Sequence, residues 1–102
     1  ISVDAAVLDR PVININFALE KNVRFGGFTV HQLYMLTHYR TALASGGIML
    51  ADNADALVAQ AQQYLAHPEQ DREERERFAR EQCAYMDGRS GERIGNFILK
   101  HI

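Results

Sequence analysis

Hydrophobic residues along this chain of 102 residues fall into short blocks with two different periods. The nearly apolar stretch 3–8 predicts a short helix, which Arg10-Pro11 ends because proline lacks a backbone donor. Residues 12–17 are rich in β-branched side chains and predict a strand. The four apolar residues 48–51 predict a second strand, of the kind that is buried inside a parallel sheet.

An interrupted helix is predicted between the two strands. Residues 18–28 carry two adjacent glycines and mixed charge, so we expect them to form a long loop. Thr29 and Gln32 have the spacing of a capping box, in which the two side chains bond the free backbone groups of a helix start. The helix is expected to be interrupted near Thr37-His38 and to continue to Ala44, before a glycine-rich end.

The C-terminal half of the chain is predicted to be helical. Asp52 and Asp55 lie at capping positions before apolar residues with i, i+3, i+4 spacing, and the helix ends at His67-Pro68. Pro68 is expected to open the next helix at its first position. The charged run 69–77 lacks a heptad pattern and predicts a solvated helix held by i,i+4 ion pairs. A last helix, capped by Ser90, follows.

The predicted fold class is α/β. A strand, a helix and a second strand in this order imply a right-handed crossover between parallel strands. Two short strands cannot bury both of their faces by themselves, so we expect an incomplete Rossmann-like sheet with flanking helices and a helical C-terminal half. No linker divides residues 1–102, and the start at Ile1-Ser2 without Met indicates a part of a longer polypeptide.

Composition and charge exclude several classes of function. Eleven Lys and Arg against thirteen Asp and Glu give a net charge of −2, which argues against a nucleic-acid binder. The apolar stretches are shorter than the roughly 18 residues of a membrane span, so no transmembrane segment is expected. A single cysteine, Cys83, favours a reducing compartment. Motifs for metal ligation and for phosphate-binding loops are absent from the sequence, so we expect neither a metal nor a cofactor.

Two regions contain candidate ligand contacts. Asp4 is a carboxylate in an otherwise apolar helix start, where it either complements the helix dipole or binds a ligand at the carboxyl edge of the sheet. His38 stands beside Tyr39 and Arg40 near the predicted helix interruption, and this combines an imidazole, a phenol and a guanidinium. His38 is therefore either a ligand contact or a packing residue.

Two segments carry a resemblance to a known family. Residues 2–13, Ser-Val-Asp-Ala-Ala-Val-Leu-Asp-Arg-Pro-Val-Ile, resemble the S-T-x-x-x-[ED]-A-A-x-x-x-x-P-V-I segment of GT-B-fold glycosyltransferases. Residues 87–94, Asp-Gly-Arg-Ser-Gly-Glu-Arg-Ile, are similar to the end of CDP-glycerol glycerophosphotransferases and related surface-polysaccharide proteins. The resemblance implies a two-domain enzyme with a nucleotide-linked donor between its domains. Residues 1–102 would then be the C-terminal portion of the donor-binding domain.

The resemblance also implies a reaction and its site. A sugar or polyol phosphate would move from a nucleotide-activated donor to a surface-polymer acceptor. Ser2 and Asp4 would bind the donor, with Asp4 on the nucleoside, and His38 or Arg40 would lie near phosphate. The catalytic base would come from the N-terminal domain of the same polypeptide, so the catalytic residues are unknown and residues 1–102 alone are expected to be inactive.

Two other functions remain open from the sequence. One is a nucleotide-sugar 2-epimerase of the same fold, which needs no acceptor. The other is a non-enzymatic interaction module, in which the charged helix 69–82 docks a partner. We expect a cytoplasmic location, and peripheral attachment to the inner face of the membrane is compatible with it.

Overall fold

The computed structural model describes residues 1–18 and 24–102. Within these residues it contains six helices and two parallel strands, so the predicted α/β class is confirmed. In chain order the elements are α1 (Ser2–Val7), β1 (Ile13–Ile15), α2 (Val30–Leu33), α3 (Thr37–Ala44), β2 (Met49–Ala51), α4 (Ala54–Ala66), α5 (Arg72–Gln82) and α6 (Ser90–His101). Much of the predicted loop 18–28 lies outside the described residues.

The sheet consists of β1 and β2, with Ile13 opposite Met49 and Ile15 opposite Ala51. Both strands are shorter than the predicted stretches 12–17 and 48–51, because the ladder has only three register pairs. Beyond them, the Asn16 amide still donates to the Ala51 carbonyl at 2.8 Å. Helix α4 packs on the sheet, and Gln60 Nε2 donates to the Leu50 carbonyl at 3.1 Å.

The buried core lies between α1, α3 and α5. Its buried members are mostly small, which lets the helices approach closely, and they are Ala6, Ala42, Ile48, Phe78 and Ala79. The loop before β2 also packs tightly against α5. A Cβ on Gly47 would lie 2.9 Å from Arg75 Cα, so this approach of two backbones requires glycine.

The predicted interruption of the helix between the two strands is confirmed, but it lies at residues 34–36, and Thr37-His38 begin the second helix. The backbone N–H of Gln32 donates to Thr29 Oγ1 at 3.2 Å, and the backbone N–H of Thr29 donates to Gln32 Oε1 at 2.9 Å. These two bonds complete the capping box. Leu36 is extended, with φ −65° and ψ 143°, and separates α2 from α3. Gly46, with φ 78°, follows the end of α3. The ends of these helices therefore follow from local backbone chemistry.

The boundaries of α4, α5 and α6 differ from the predicted ones. Asn53 caps α4 by accepting from the Ala56 amide at 2.8 Å, so Asp52 and Asp55 are not its caps. Residues 68–71 form a turn and α5 begins only at Arg72, so Pro68 does not open it. Ser90 is the first residue of α6 and provides no side-chain cap.

The description of the charged run as a solvated helix is wrong for its inner face. Arg75 is fully buried, and its Nη2 donates to Asp9 Oδ1 at 2.9 Å. Arg72 Nε donates to Asp9 Oδ2 at 2.8 Å. Phe78 and Ala79 pack toward α1. Arg75, one turn earlier, and Arg72, about two turns earlier, lie on the same face of α5 and therefore point toward the end of α1. Of the expected i,i+4 pairs, Arg80 and Glu76 form one at 3.6 Å, on the solvated side.

Helix α6 leaves its apolar side chains exposed, with Ile94 at 61%, Phe97 at 63% and Leu99 at 71% of full exposure. Within residues 1–18 and 24–102, no helix is both long and apolar enough to cross a membrane.

Candidate functional site

A groove of about 450 Å³ runs between α1, the α2–α3 segment and α5. Ser2 and Val3 of α1 form one side, and Tyr34, His38 and Tyr39 form the other. Asn14, from the middle of β1, and Gln82, from the end of α5, add amide groups to its lining. The groove therefore combines an apolar wall with several groups that can form hydrogen bonds.

Ser2 is held in the groove by a neighbour from the sheet. Its Oγ donates to Asn14 Oδ1 at 3.3 Å, and the pair is partly buried. The hydroxyl oxygen of Ser2 and the side-chain NH₂ of Asn14 can engage a ligand in addition. Sequence reasoning named Ser2 but missed Asn14, although the alternation of β1 places Asn14 on the face opposite Ile13 and Ile15.

His38 is the second residue of α3 and lies among aromatic side chains. Its ring centroid is 4.4 Å from that of Tyr39, which contacts Tyr34 edge-on at 5.3 Å. The Tyr34 hydroxyl donates to the Ile15 carbonyl at 3.0 Å, and burial, together with Tyr39, raises the pKa of Tyr34 above its ordinary value. Tyr34 therefore stays protonated at neutral pH and ties α2 to the sheet. The exposed His38 ring is left facing the groove.

Asp4 and Arg40 are not among the residues that line this groove. The Asp4 side chain is 82% exposed and lies 3.1 Å from the amino group of Ile1. Arg40 lines a separate depression on α3 with Thr37, Thr41 and Ala44. Of the four predicted ligand contacts, the structure brings Ser2 and His38 together and places the other two elsewhere.

A second polar cluster lies at the carboxyl ends of the two strands. Asn16 Nδ2 donates to Asp52 Oδ1 at 2.6 Å and lies 3.4 Å from His31 Nδ1. Sequence reasoning missed this cluster. Only part of the signal was present: Asp52 directly follows the predicted strand 48–51, whereas Asn16 fell inside the predicted strand 12–17. The observed end of β1 at Ile15 places both residues at one edge of the parallel sheet.

The motif at residues 87–94 forms a self-bonded turn before α6. Arg93 donates to both carboxylate oxygens of Asp87, at 2.8 and 2.6 Å, and its guanidinium lies 3.9 Å from the ring centroid of Tyr85. The Asp87 carboxylate also accepts from the Arg89 amide at 3.1 Å. These bonds, above all those from Arg93, hold the pKa of Asp87 well below its ordinary value. Asp87 and Arg93 therefore fix the entry to α6.

Comparison with known families places this α/β chain among transferases of phosphate-containing groups. It belongs to the CDP-Glycerol:Poly(glycerophosphate) glycerophosphotransferase family, whose model matches residues 1–100. The resemblance to CDP-glycerol glycerophosphotransferases is thereby confirmed, while the GT-B fold implied by residues 2–13 stays a prediction. No curated protein and no solved structure matches the chain.

Proposed function

We propose that this chain forms part of the donor-binding half of a glycerophosphotransferase with the GT-B arrangement of two domains. The reaction is the transfer of a polyol phosphate from a CDP-linked donor to a hydroxyl group of a surface-polymer acceptor. The observation that carries the proposal is the family match over residues 1–100, and the groove with Ser2 and His38 supports it. The family is described as transferring glycerophosphate, which favours this activity over a 2-epimerase or a docking module.

The proposed reaction makes defined demands on the site. The acceptor oxygen forms a new bond to the phosphorus that carries the polyol, the bond from that phosphorus to the bridging oxygen breaks, and CMP leaves. The hydroxyl proton passes to a base, which we assign to the N-terminal domain of the same polypeptide. The groove then has to bind the diphosphate and stabilise the charge on the leaving group.

Helix α3 begins at the groove, which suits the binding of phosphate. Its N-cap residue, Leu36, provides no side-chain cap, so the first amide groups of the helix are available to an anion. His38 stands in this first turn and lines the groove. We assign the diphosphate to this end of the groove, with the Ser2 hydroxyl on the opposite wall.

Asp4 and Arg40 enter the proposal through the family resemblance. Asp4 follows directly on Ser2 and Val3, which line the groove, and its exposed carboxylate is assigned to the nucleoside. Arg40 is assigned to phosphate as a second contact, although its side chain lies with Thr37 and Thr41 on the neighbouring depression. A cytoplasmic location is also part of the proposal, and the free thiol of Cys83 is in keeping with it.

The groove is tested by substituting its two predicted ligand contacts in the intact protein. His38→Ala and Ser2→Ala should each lower kcat/KM for CMP release from CDP-glycerol by about 10- to 100-fold, the range for losing a charge-assisted hydrogen bond. His67→Ala is the matched control, because this exposed histidine pairs with Glu69 and is not among the residues that line the groove. Normal activity of His38→Ala with a lowered melting temperature would make His38 a packing residue and remove it from the site.

A further inference from the structure

The carboxyl edge of the sheet holds three polar side chains that the groove described above does not include. They come from separate elements, and we call them the edge cluster: Asn16 after β1, His31 in α2 and Asp52 after β2. Asn16 Nδ2 joins the other two, at 2.6 Å from Asp52 Oδ1 and 3.4 Å from His31 Nδ1. Ligands of open parallel sheets bind beyond the carboxyl ends of the strands, which is where this cluster lies.

The backbone holds the edge cluster in place. The Asn16 amide donates to the Ala51 carbonyl at 2.8 Å, so the residue continues the hydrogen-bond ladder of β1. Asp52 is fixed between β2 and Asn53, which caps α4 with a bond of 2.8 Å to the Ala56 amide. Asn16 and Asp52 are therefore presented directly at the ends of paired strands, which gives a site more precise geometry than a long loop does.

The free groups of the cluster are hydrogen-bond acceptors. Asn16 Oδ1 is buried and has no hydrogen-bond partner among the residues that the structure describes. Asp52 is exposed, and its second carboxylate oxygen is available next to the one that Asn16 engages. A carboxylate repels phosphate and accepts from hydroxyl groups, so the cluster selects a ligand that offers several O–H donors.

We propose that the edge cluster binds the hydroxyl groups of a glycerol unit. This inference rests on the proposed function, which supplies glycerol from two sources: the donor CDP-glycerol and the glycerol end of the polymer acceptor. In either case Asp52 accepts from a ligand hydroxyl, and Asn16 holds the Asp52 carboxylate in position. The His31 ring lies beside these two groups, with Nδ1 at 3.4 Å from Asn16 Nδ2.

The test compares ligands with and without glycerol, by calorimetric titration of the intact protein. Asp52→Asn keeps the size of the side chain and removes its charge, while Asp55→Asn makes the same change at an exposed position of the first turn of α4. Asp52→Asn should weaken binding of CDP-glycerol, or of a glycerophosphate oligomer, about tenfold and leave CDP binding unchanged. Asp55→Asn should change none of the three affinities.

The outcomes distinguish the two sources of glycerol, and they distinguish failure of the hydroxyl site from failure of the proposed function. If Asp52→Asn loses affinity for CDP-glycerol alone, the cluster binds the glycerol of the donor. If it loses affinity for the oligomer alone, the cluster binds the glycerol of the acceptor. Unchanged affinity of Asp52→Asn for both ligands overturns the hydroxyl site and leaves the donor groove intact. A wild-type protein that binds neither CDP nor CDP-glycerol contradicts the proposed function and, with it, this inference. Asn16→Ala serves as the second variant, and its melting temperature shows whether the sheet edge is preserved.

Discussion

Arg75 carries its charge in a fully buried position, and Asp9 is the partner that makes this tolerable. The guanidinium donates to Asp9 through Nε at 3.2 Å and through Nη2 at 2.9 Å. It also donates to the carbonyls of Pro68, at 3.0 Å, and of Gln70. Nearly all its donors are thus satisfied, as a buried charge requires. This one side chain fastens the turn after α1 to the turn before α5.

Removing Arg75 should therefore be strongly destabilising. Arg75→Ala leaves a cavity and deprives two carbonyls and the Oδ1 atom of Asp9 of this donor, so the free energy of unfolding should fall by about 3–5 kcal/mol. Urea denaturation measures the loss. Arg80→Ala is the control, because Arg80 is exposed and pairs only with Glu76 at 3.6 Å, and should cost at most about 1 kcal/mol. Equal losses in both variants would contradict the structural role of Arg75.

The same contact should make stability depend on acid pH. The hydrogen bond from Arg75, followed by the charge of Arg72, holds the pKa of Asp9 below its ordinary value of 3.8, against the opposing effect of desolvation. A carboxyl with a lowered folded-state pKa stabilises the fold above its unfolded pKa, and this contribution is lost as the pH falls through the folded value. The melting temperature should therefore decline below about pH 4. Asp9→Asn should show a shallower decline, and an unchanged pH profile in this variant would sink the assignment.

At the scale of elements, the position of β2 depends on the close approach of the preceding loop to α5. A Cβ at Gly47 would lie 2.9 Å from Arg75 Cα and 2.9 Å from the Glu74 carbonyl oxygen, both of which are backbone atoms. Gly47→Ala should therefore destabilise the fold by about 1–3 kcal/mol through overpacking. Gly95→Ala in α6 meets nothing within 4 Å and should raise stability by about 0.5–1 kcal/mol. Thermal melts of the two variants should shift in opposite directions, and a neutral Gly47→Ala would refute the close approach.

The elements that could be predicted from the sequence are those whose cause is local. The capping box at Thr29 and the break between α2 and α3 depend on neighbouring residues, and both were predicted. The burial of Arg75 was not, because its partner Asp9 lies 66 residues away in the chain. No pattern within residues 69–77 distinguishes an arginine that faces solvent from one that crosses to another helix. For the same reason, helical spacing revealed that these residues form a helix but not what its inner face contacts.

The residues of the candidate site likewise divide into those that the sequence predicted and those that depend on contacts between distant residues. Ser2 and His38 were predicted from a resemblance and from a local combination of side chains, and both line the groove. Asn14 and the edge cluster depend on how β1 and β2 pair, which requires the register of Ile13 with Met49. Asp4 and Arg40 were predicted from the resemblance and from the chemistry of their side chains, neither of which specifies the direction that a side chain faces. They lie outside the groove because of the rotation of α1 and α3 about their own axes. The sequence pattern of so short a helix does not determine this rotation.

At the scale of the whole molecule, the chain is extended for its length. Its radius of gyration is 16.9 Å, compared with about 13 Å for a compact domain of this size. The sheet has two strands of three residues each, and α6 exposes a row of large apolar side chains. This shape is consistent with the proposal that the chain forms part of the donor-binding half of a larger transferase. In that proposal the groove binds the donor, the edge cluster binds a glycerol unit, and the base is assigned to the other domain.

The central claim is that this protein transfers glycerophosphate from a CDP-linked donor to a polymer, and the most direct measurement follows a label. The intact protein is incubated with CDP-glycerol labelled in the glycerol, with and without a glycerophosphate polymer. The account predicts that label enters the polymer, that one CMP is released for each unit added, and that both depend on the acceptor. Consumption of the donor at the same rate without the acceptor, or no incorporation of label with it, would contradict the account.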